Sequence, residues 1–394
     1  MPLSALPCVQ ALVPLAAQVF LLSLKLPTAA RLPACCLALS IWLAVFFLAT
    51  STGNVFADYM LGTALCIHAI NSVYLLLLSH PLDAFKLRAG SHGSRLHWVY
   101  TASISPRGIG WTTPAKNTPA ARAQSRTDFV LSTVLRAVRQ LLLFDAAQLY
   151  VCYSPVFAAH GAALVSVSAS ITSQGCLLRC ASILAWGAML YSTLNLAHSL
   201  FAAVSVALGL SEASSWPPLF GRWEDAYTLR RFWGRTWHQL LRQPLSAIAK
   251  AAARTLGFKP GSRGSSYVQL YLVFALSGAV HVGGDMKLNA RHTGFSWPFF
   301  VLQAIAITLE DAVIGLAGFA DATPLTRLAG YLWVWCWFYV SCPVWVDGQI
   351  AAGLGMMRVL PLSPIMAAGG LVGRLAGSDW AGSVLLHGNS SAVL

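Results

Sequence analysis

Long uninterrupted apolar runs decide what this chain can become. They recur at about residues 8–24, 34–50, 58–79, 138–158, 180–208, 265–284, 296–320, 328–348 and 361–377. A helix needs about 20 apolar residues to cross the hydrocarbon core of a bilayer. The runs are continuous rather than alternating, which favours helices over a closed barrel. Composition agrees: 57% of the residues are hydrophobic and 10% charged, against about 25% charged in an ordinary soluble domain. Mean hydropathy is +0.64. The expectation is an all-α, polytopic integral membrane protein of eight to ten transmembrane helices, with residues 1–394 forming one membrane-embedded domain. The segment 156–174 is apolar enough for a further span or a re-entrant piece, broken from what precedes it by Pro155. No basic region precedes the first apolar run, so that run reads as a span rather than a cleaved signal peptide.

The formal net charge is +13, from 26 Lys and Arg against 13 Asp and Glu. In a soluble protein that balance points to nucleic acid. Here it follows the enrichment of Lys and Arg in cytoplasmic loops, so no nucleic-acid partner is expected and the lipid bilayer is. Most of the basic residues fall in two polar stretches, 80–137 and 211–264. Both are expected as cytoplasmic loops with interfacial helices. An even number of spans must then separate them, which 138–158 and 180–208 provide, and the N-terminus would be lumenal. The cysteines are scattered through apolar runs. With no Cys-x-x-Cys pair and no metal-like Cys/His spacing, they read as small buried residues, and no metal site is expected.

Chemistry concentrates in two places. His281 lies within the apolar run that begins near Tyr267, and ionisable side chains at membrane depth are costly and face a cavity or a partner. About forty residues earlier stands Leu229-Arg-Arg-Phe-Trp-Gly-Arg-Thr-Trp-His-Gln-Leu-Leu-Arg242. Taken as one helix, it carries Arg231, Arg235, His238 and Arg242 on one face, with Leu229, Trp233, Trp237, Leu240 and Leu241 on another. Such a helix lies in the membrane interface. Its arginines either anchor headgroups by snorkelling or bind the phosphates of a co-substrate. Ser277, His281 and Asp285 also share a face at i, i+4, i+8. A Ser-His-Asp hydrolase is not the preferred reading, because triads are assembled from separate elements and no Gly-x-Ser-x-Gly elbow is present.

The run Phe232-Trp-Gly-Arg-Thr-Trp-His238-Gln resembles the signature of wax-synthase-like proteins in the membrane-bound O-acyltransferase superfamily. Arg107-Gly-Ile-Gly-Trp111 resembles an element of its fungal branch, and Ser277-Gly-x-x-His281 resembles the segment that carries the catalytic histidine. The matches occur in family order. The resemblance implies acyl transfer from acyl-CoA to a hydroxyl, with His281 in the catalytic position and His238 in the polar partner position, where the wider superfamily more commonly has Asn. It further implies a fungal-type acetyltransferase that uses acetyl-CoA as co-substrate, binds no resident cofactor and acetylates a terpenoid-like secondary metabolite, in the endoplasmic reticulum.

The residues agree with that chemistry on their own terms. An alcohol is a poor nucleophile and needs a base that takes its proton as the bond forms. A buried neutral imidazole is such a base. The thioester oxyanion needs preorganised donors, which His238 or a tryptophan N–H can supply. Arg231, Arg235 and Arg242, with Trp233 and Trp237, are expected to bind the acyl-CoA, and Ser277 and Glu310 to line the acceptor site. For Glu310 and Asp311 the competing reading is a buried pair with an arginine. Trp333, Trp335 and Trp337 make an interfacial aromatic belt candidate. Asn389-Ser-Ser391 is a glycosylation sequon, meaningful if lumenal. A long-chain wax or sterol ester synthase is the nearest alternative. A proton-coupled transporter is the alternative of another class, and it predicts inverted repeats that the sequence does not display.

Overall fold

The computed structural model describes residues 6–79, 99, 102–103, 107–109, 115–119, 124–158, 170–288, 293–318, 323–356 and 358–375. Trp111, most of 156–174 and the sequon at Asn389 lie outside them. Among the described residues every element is helical. The longer helices are α1 (Leu12–Ser23), α2 (Thr28–Leu48), α3 (Val55–Val73, continued by a π turn over Tyr74–Leu78), α4 (Arg126–Tyr153) and α5 (Cys176–Ala207). They are followed by α6 (Arg242–Thr255), α7 (Arg263–Leu288), α8 (Ser296–Ala317), α9 (Pro324–Ala351) and α10 (Pro364–Leu375).

Each expected apolar run is, among the described residues, helical over most of its length. Among the described residues, five helices are long and apolar enough to cross a membrane: α2, α3 with its π turn, α5, α7 and α8. Large apolar side chains stay on the outside, as lipid contact requires. On α8, Ile305, Leu309, Val313 and Leu316 are exposed, while Phe299, Phe300, Gln303, Ile307 and Glu310 are buried.

The chain divides into two units, Met1–Gln124 with Ser211–Leu354, and Ser125–Leu210 with Gly355–Leu394. The second unit is built on α4 and α5, which run antiparallel: Tyr150 Oη meets Ser182 Oγ at 3.0 Å, and at the other end Arg126 reaches Gly209. Both polar flanks of this hairpin therefore leave it at one end. Helix α4 begins twelve residues before the expected 138, inside the stretch read as a loop. The reason is a local cap: Ser125 Oγ accepts from Asp128 N at 3.1 Å and donates to Asp128 Oδ2 at 2.6 Å. Such a pair satisfies a free amide of the first turn. From mid-helix, Asp145 and Gln148 hold the 359–365 segment by its backbone amides and Ser363.

In the first unit α7 is central, packing against α3, α6 and α8. Where helices share a lipid environment, small residues set how closely backbones approach. Gly62 on α3 faces Gly283 on α7, and Gly284 lies against the Tyr59 ring and Thr63. The C-terminal end of α7 is tied to α2, where Lys287 Nζ donates to the carbonyls of Phe46 and Ala49. These are the last carbonyls of a helix, where a cation is favoured. Helix α3 starts from Asn54, whose side chain accepts from Ala57 N at 3.0 Å, and from Asp58, which accepts from Thr52 N at 2.7 Å.

Candidate active site

His281 is held by three helices. Tyr59 Oη on α3 lies 3.0 Å from His281 Nδ1. Phe300 on α8 stacks on the imidazole with centroids 4.6 Å apart and planes 9° from parallel, and Trp345 on α9 meets it edge-on at 5.5 Å. Among the described residues Nε2 has no hydrogen-bond partner, so that nitrogen is left for chemistry. The glycine of Ser277-Gly-x-x-His281 has a packing reason: a Cβ at Gly278 would lie 2.9 Å from Trp297 Cδ1 and 3.3 Å from Phe300 Cβ. Without it α8 could not bring Phe300 onto the histidine. Asp285 does not reach His281. Its carboxylate accepts from Ser296 N at 3.0 Å and Ser296 Oγ at 2.7 Å, at the start of α8. The linear Ser277-His281-Asp285 triad is therefore absent, and Ser277 has no hydrogen-bond partner among the described residues.

The segment 229–242 is not one helix, which corrects the expected stripe of Arg231, Arg235, His238 and Arg242 on a single face. Leu229–Arg231 is one helical turn and Phe232–Thr236 a π turn closed by Trp237 N to Phe232 O at 2.8 Å. Trp237 is extended, at φ −66 and ψ 153. Side chains satisfy the carbonyls that helix amides would otherwise take. Gln239 Nε2 donates to Trp233 O at 3.0 Å and Trp237 O at 2.5 Å, and Arg242 Nη1 to Gly234 O at 2.5 Å. Asn117 Nδ2 reaches the same Gly234 carbonyl at 2.8 Å. Arg107, from the Arg-Gly-Ile-Gly element, is buried and donates to Pro218 O at 2.9 Å and Pro217 O at 3.1 Å. The break is thus held by Gln239 and Arg242 from within the segment and by Asn117 from far away in sequence. π turns of this kind often accompany functional sites.

The arginines separate into different roles. Arg231 pairs with Asp225 and lies over the Tyr227 ring. Arg242 pins the turn as just described. Arg235 keeps a half-exposed side chain, with Asp225 Oδ1 3.9 Å away. Trp233 and Trp237 turn inward. Trp233 packs on Phe274, Phe299, Phe300 and Phe338, and its Nε1 donates to Gln303 at 3.3 Å, with Trp337 Nε1 on the same oxygen at 2.9 Å. Glu310, expected at the acceptor site, is already engaged. Its carboxylate accepts from Leu229 N at 2.6 Å, Arg230 N at 3.0 Å and Trp333 Nε1 at 2.9 Å. Asp311 pairs with Arg230, as the competing reading proposed. Glu310 caps the turn at 229, and Trp333 and Trp337 donate to internal acceptors.

His238 follows this turn, edge-on to Phe220 at 5.8 Å and beside Trp237. Its Nδ1 is enclosed without a hydrogen-bond partner. Enclosure, and then the Arg107 charge, push its pKa down to about 4, so the ring is neutral at physiological pH. An aromatic path through Trp237, Trp233 and Phe300 joins it to His281, and the imidazoles are close enough to interact electrostatically. The two expected histidines are therefore linked through packed aromatic side chains. Tyr59, Ser296 and Gln303 were not singled out from sequence. The polar Asp58-Tyr59 pair at the start of an apolar run is the signal that could have pointed to the first.

Residues 216–302, which carry both histidines, match the family described as "Membrane bound O-acyl transferase family". Residues 125–207 match "Aspirochlorine biosynthesis protein F C-terminal domain". The chain is 34% identical over 314 residues to Acetyltransferase ple2 of Rhodocybe pseudopiperita, covering 77% of this chain and 81% of that protein. It is 31% identical to Acetyltransferase eriL of Hericium erinaceus, with 68% and 70% covered. Acetyltransferase aurG of Calcarisporium arbuscula is 31% identical, with 64% and 65% covered. The transporter alternative does not survive these similarities. A multi-pass membrane protein with this site and these relatives belongs to the membrane-bound O-acyltransferase family and is an O-acyltransferase.

Proposed function

We propose that this enzyme transfers an acetyl group from acetyl-CoA to a hydroxyl of a hydrophobic, terpenoid-like secondary metabolite, in the endoplasmic reticulum membrane. The observation that carries the reading is the setting of His281. Its Nδ1 is engaged by Tyr59 and its ring clamped by Phe300 and Trp345, which directs Nε2 toward a reacting hydroxyl. In this reading Nε2 takes the alcohol proton as the oxygen attacks the thioester carbonyl. The C–O bond forms, the C–S bond breaks, and the imidazolium returns its proton to the departing thiolate. A CoA thiol of pKa about 8.5 leaves with little assistance. In this reading the neutral His238 is the polar partner for the thioester or its oxyanion. Apolar walls keep water from the thioester.

The donor length is supported by the relatives' printed names and by the crowded aromatic packing around His281, which suits a short acyl group. The acceptor class is supported by the same apolar lining. The half-exposed Arg235 is the residue of the expected set best placed to meet phosphates of the CoA. Purified enzyme in nanodiscs, given labelled acetyl-CoA and a panel of terpene alcohols, should produce acetate esters. Preference for palmitoyl-CoA with fatty alcohols or sterols over acetyl-CoA would replace this reading with an ester-storage one.

A further inference from the structure

Gln303 is fully buried in α8, one helical turn beyond Phe299 and Phe300 on the same buried face. Its Oε1 lies 2.9 Å from Trp337 Nε1 of α9 and 3.3 Å from Trp233 Nε1 of the π turn. Its Nε2 donates to Phe299 O at 3.1 Å. Trp233 packs on Phe299 and Phe300. Phe300 stacks on the His281 imidazole, and Phe299 stacks on Trp345, which meets that imidazole edge-on. We propose that Gln303 is a positioning residue for acyl transfer: its amide oxygen, shared by Trp233 and Trp337, holds the aromatic wall that clamps the His281 ring. The inference rests on the reading of His281 as the base.

Donor and acceptor counting fixes how the amide lies. An indole N–H donates and does not accept. The oxygen therefore faces both tryptophans, and the NH2 faces the Phe299 carbonyl. A carbonyl oxygen has two lone pairs, and the two indoles use them. This one atom thus joins the π turn and α9 to α8. Glu310, two turns further along α8, repeats the pattern. It accepts from Trp333 Nε1 of α9 and from Leu229 N and Arg230 N at the start of the same segment. The segment 229–233 is tied to α8 at these two levels, and Gln303 is the one next to Phe300. Apolar packing by itself is non-directional, whereas a hydrogen bond weakens steeply as its angle changes. Gln303 therefore supplies the directional restraint on Trp233 that its phenylalanine neighbours do not. A tilt of Trp233 is passed to Phe300, and from Phe300 to the imidazole stacked on it.

The test uses full-length protein in nanodiscs with 15N-labelled tryptophan. The indole N–H signals of Trp233 and Trp337 are identified by their loss in Trp233→Phe and Trp337→Phe. Gln303→Met keeps the length of the side chain and removes the strong acceptor. Both indole protons should move upfield, and kcat should fall about tenfold with KM for the alcohol within about twofold, a partial form of the loss expected when a catalytic group is misplaced. Gln303→Glu keeps an accepting oxygen in the same place, ionised or not, so both indole signals should stay and kcat should remain within about threefold of wild type. Trp233→Phe removes the same link from the other side and should lower kcat by a similar factor. Adding Gln303→Met to it should then cost less than about twofold more, because the two changes act on one interaction. Unmoved indole signals or wild-type kcat in Gln303→Met, an equal loss in Gln303→Glu, or losses that multiply in the double variant each overturn the positioning role. Should Gln303→Met fail to fold, wild-type kcat in Trp233→Phe overturns it. If the indole signals and the double variant behave as described while His281→Ala turns over normally, Gln303 still holds the wall and the assignment of His281 as base falls.

Discussion

Gly284→Ala adds one methyl group at a close contact between α7 and α3, three residues from His281. The added carbon would sit 2.6 Å from Tyr59 Cε2 and from Thr63 Oγ1, where ordinary contact begins at 3.4 Å. The shortfall is about 1 Å, and it falls on an aromatic ring and a short side chain rather than on a flexible tip. Either α3 moves away from α7 or the Tyr59 ring turns. In both cases the 3.0 Å contact from Tyr59 to His281 Nδ1 stretches past hydrogen-bonding range. Overpacking of this size costs about 1–3 kcal/mol of stability, and misplacing a catalytic group by about 1 Å costs on the order of 10² in rate. Gly187 on α5 and Gly315 on α8 provide the control, since a Cβ at either meets nothing within 4 Å. Alanine there should leave turnover unchanged and raise stability by about 0.5–1 kcal/mol through helix propensity. Initial rates and thermal unfolding of purified proteins in one detergent make the comparison. Wild-type turnover in Gly284→Ala would show that close approach of these helices does not position the site.

His281→Ala should insert and fold yet lose about 10² or more in rate, the scale for removing a general base; near-normal turnover in the purified variant would end that assignment. Arg235→Ala should raise KM for acetyl-CoA more than KM for the alcohol, with partial recovery in Arg235→Lys, and unchanged CoA affinity would assign Arg235 to lipid headgroups. His238→Asn should keep substantial activity because an amide N–H can still donate, whereas His238→Ala should lose much more. Since His238 titrates near 4, its protonation should not limit the rate between pH 7 and 5 in the wild type, and an acid limb in that range that the Asn variant loses would make His238 the titrating base. The same depressed pKa acts on stability. Between about pH 6.5 and 4 an unfolded histidine binds a proton that the folded one refuses, so stability should fall as pH drops through that window, by up to about 1.4 kcal/mol per unit. Unfolding of His238→Asn over the same range should show the shallower slope.

The sequence by itself determined the class of fold and singled out the histidine proposed as the base. Continuous apolar runs leave the backbone no option in lipid except helix, and each expected run is helical for that reason. A histidine at membrane depth, inside Ser277-Gly-x-x-His281, needs no tertiary information to be singled out. Local capping was also written in the chain, although Ser125 and Asp128 went unread and α4 starts earlier than expected. What only tertiary structure decided are the features in which partners come from distant segments. Helical periodicity placed Arg231, Arg235, His238 and Arg242 on one face, but Glu310 from α8 caps the turn at 229, and Asn117 and Arg107 hold the irregular loop. A periodic pattern shows which residues would align if a helix continued, and it carries no information on competitors for its backbone hydrogen bonds. Likewise, nothing near His281 in sequence reveals that Tyr59, Phe300 and Trp345 hold its ring, because those contacts exist only once small residues such as Gly278 and Gly284 have allowed the helices to touch.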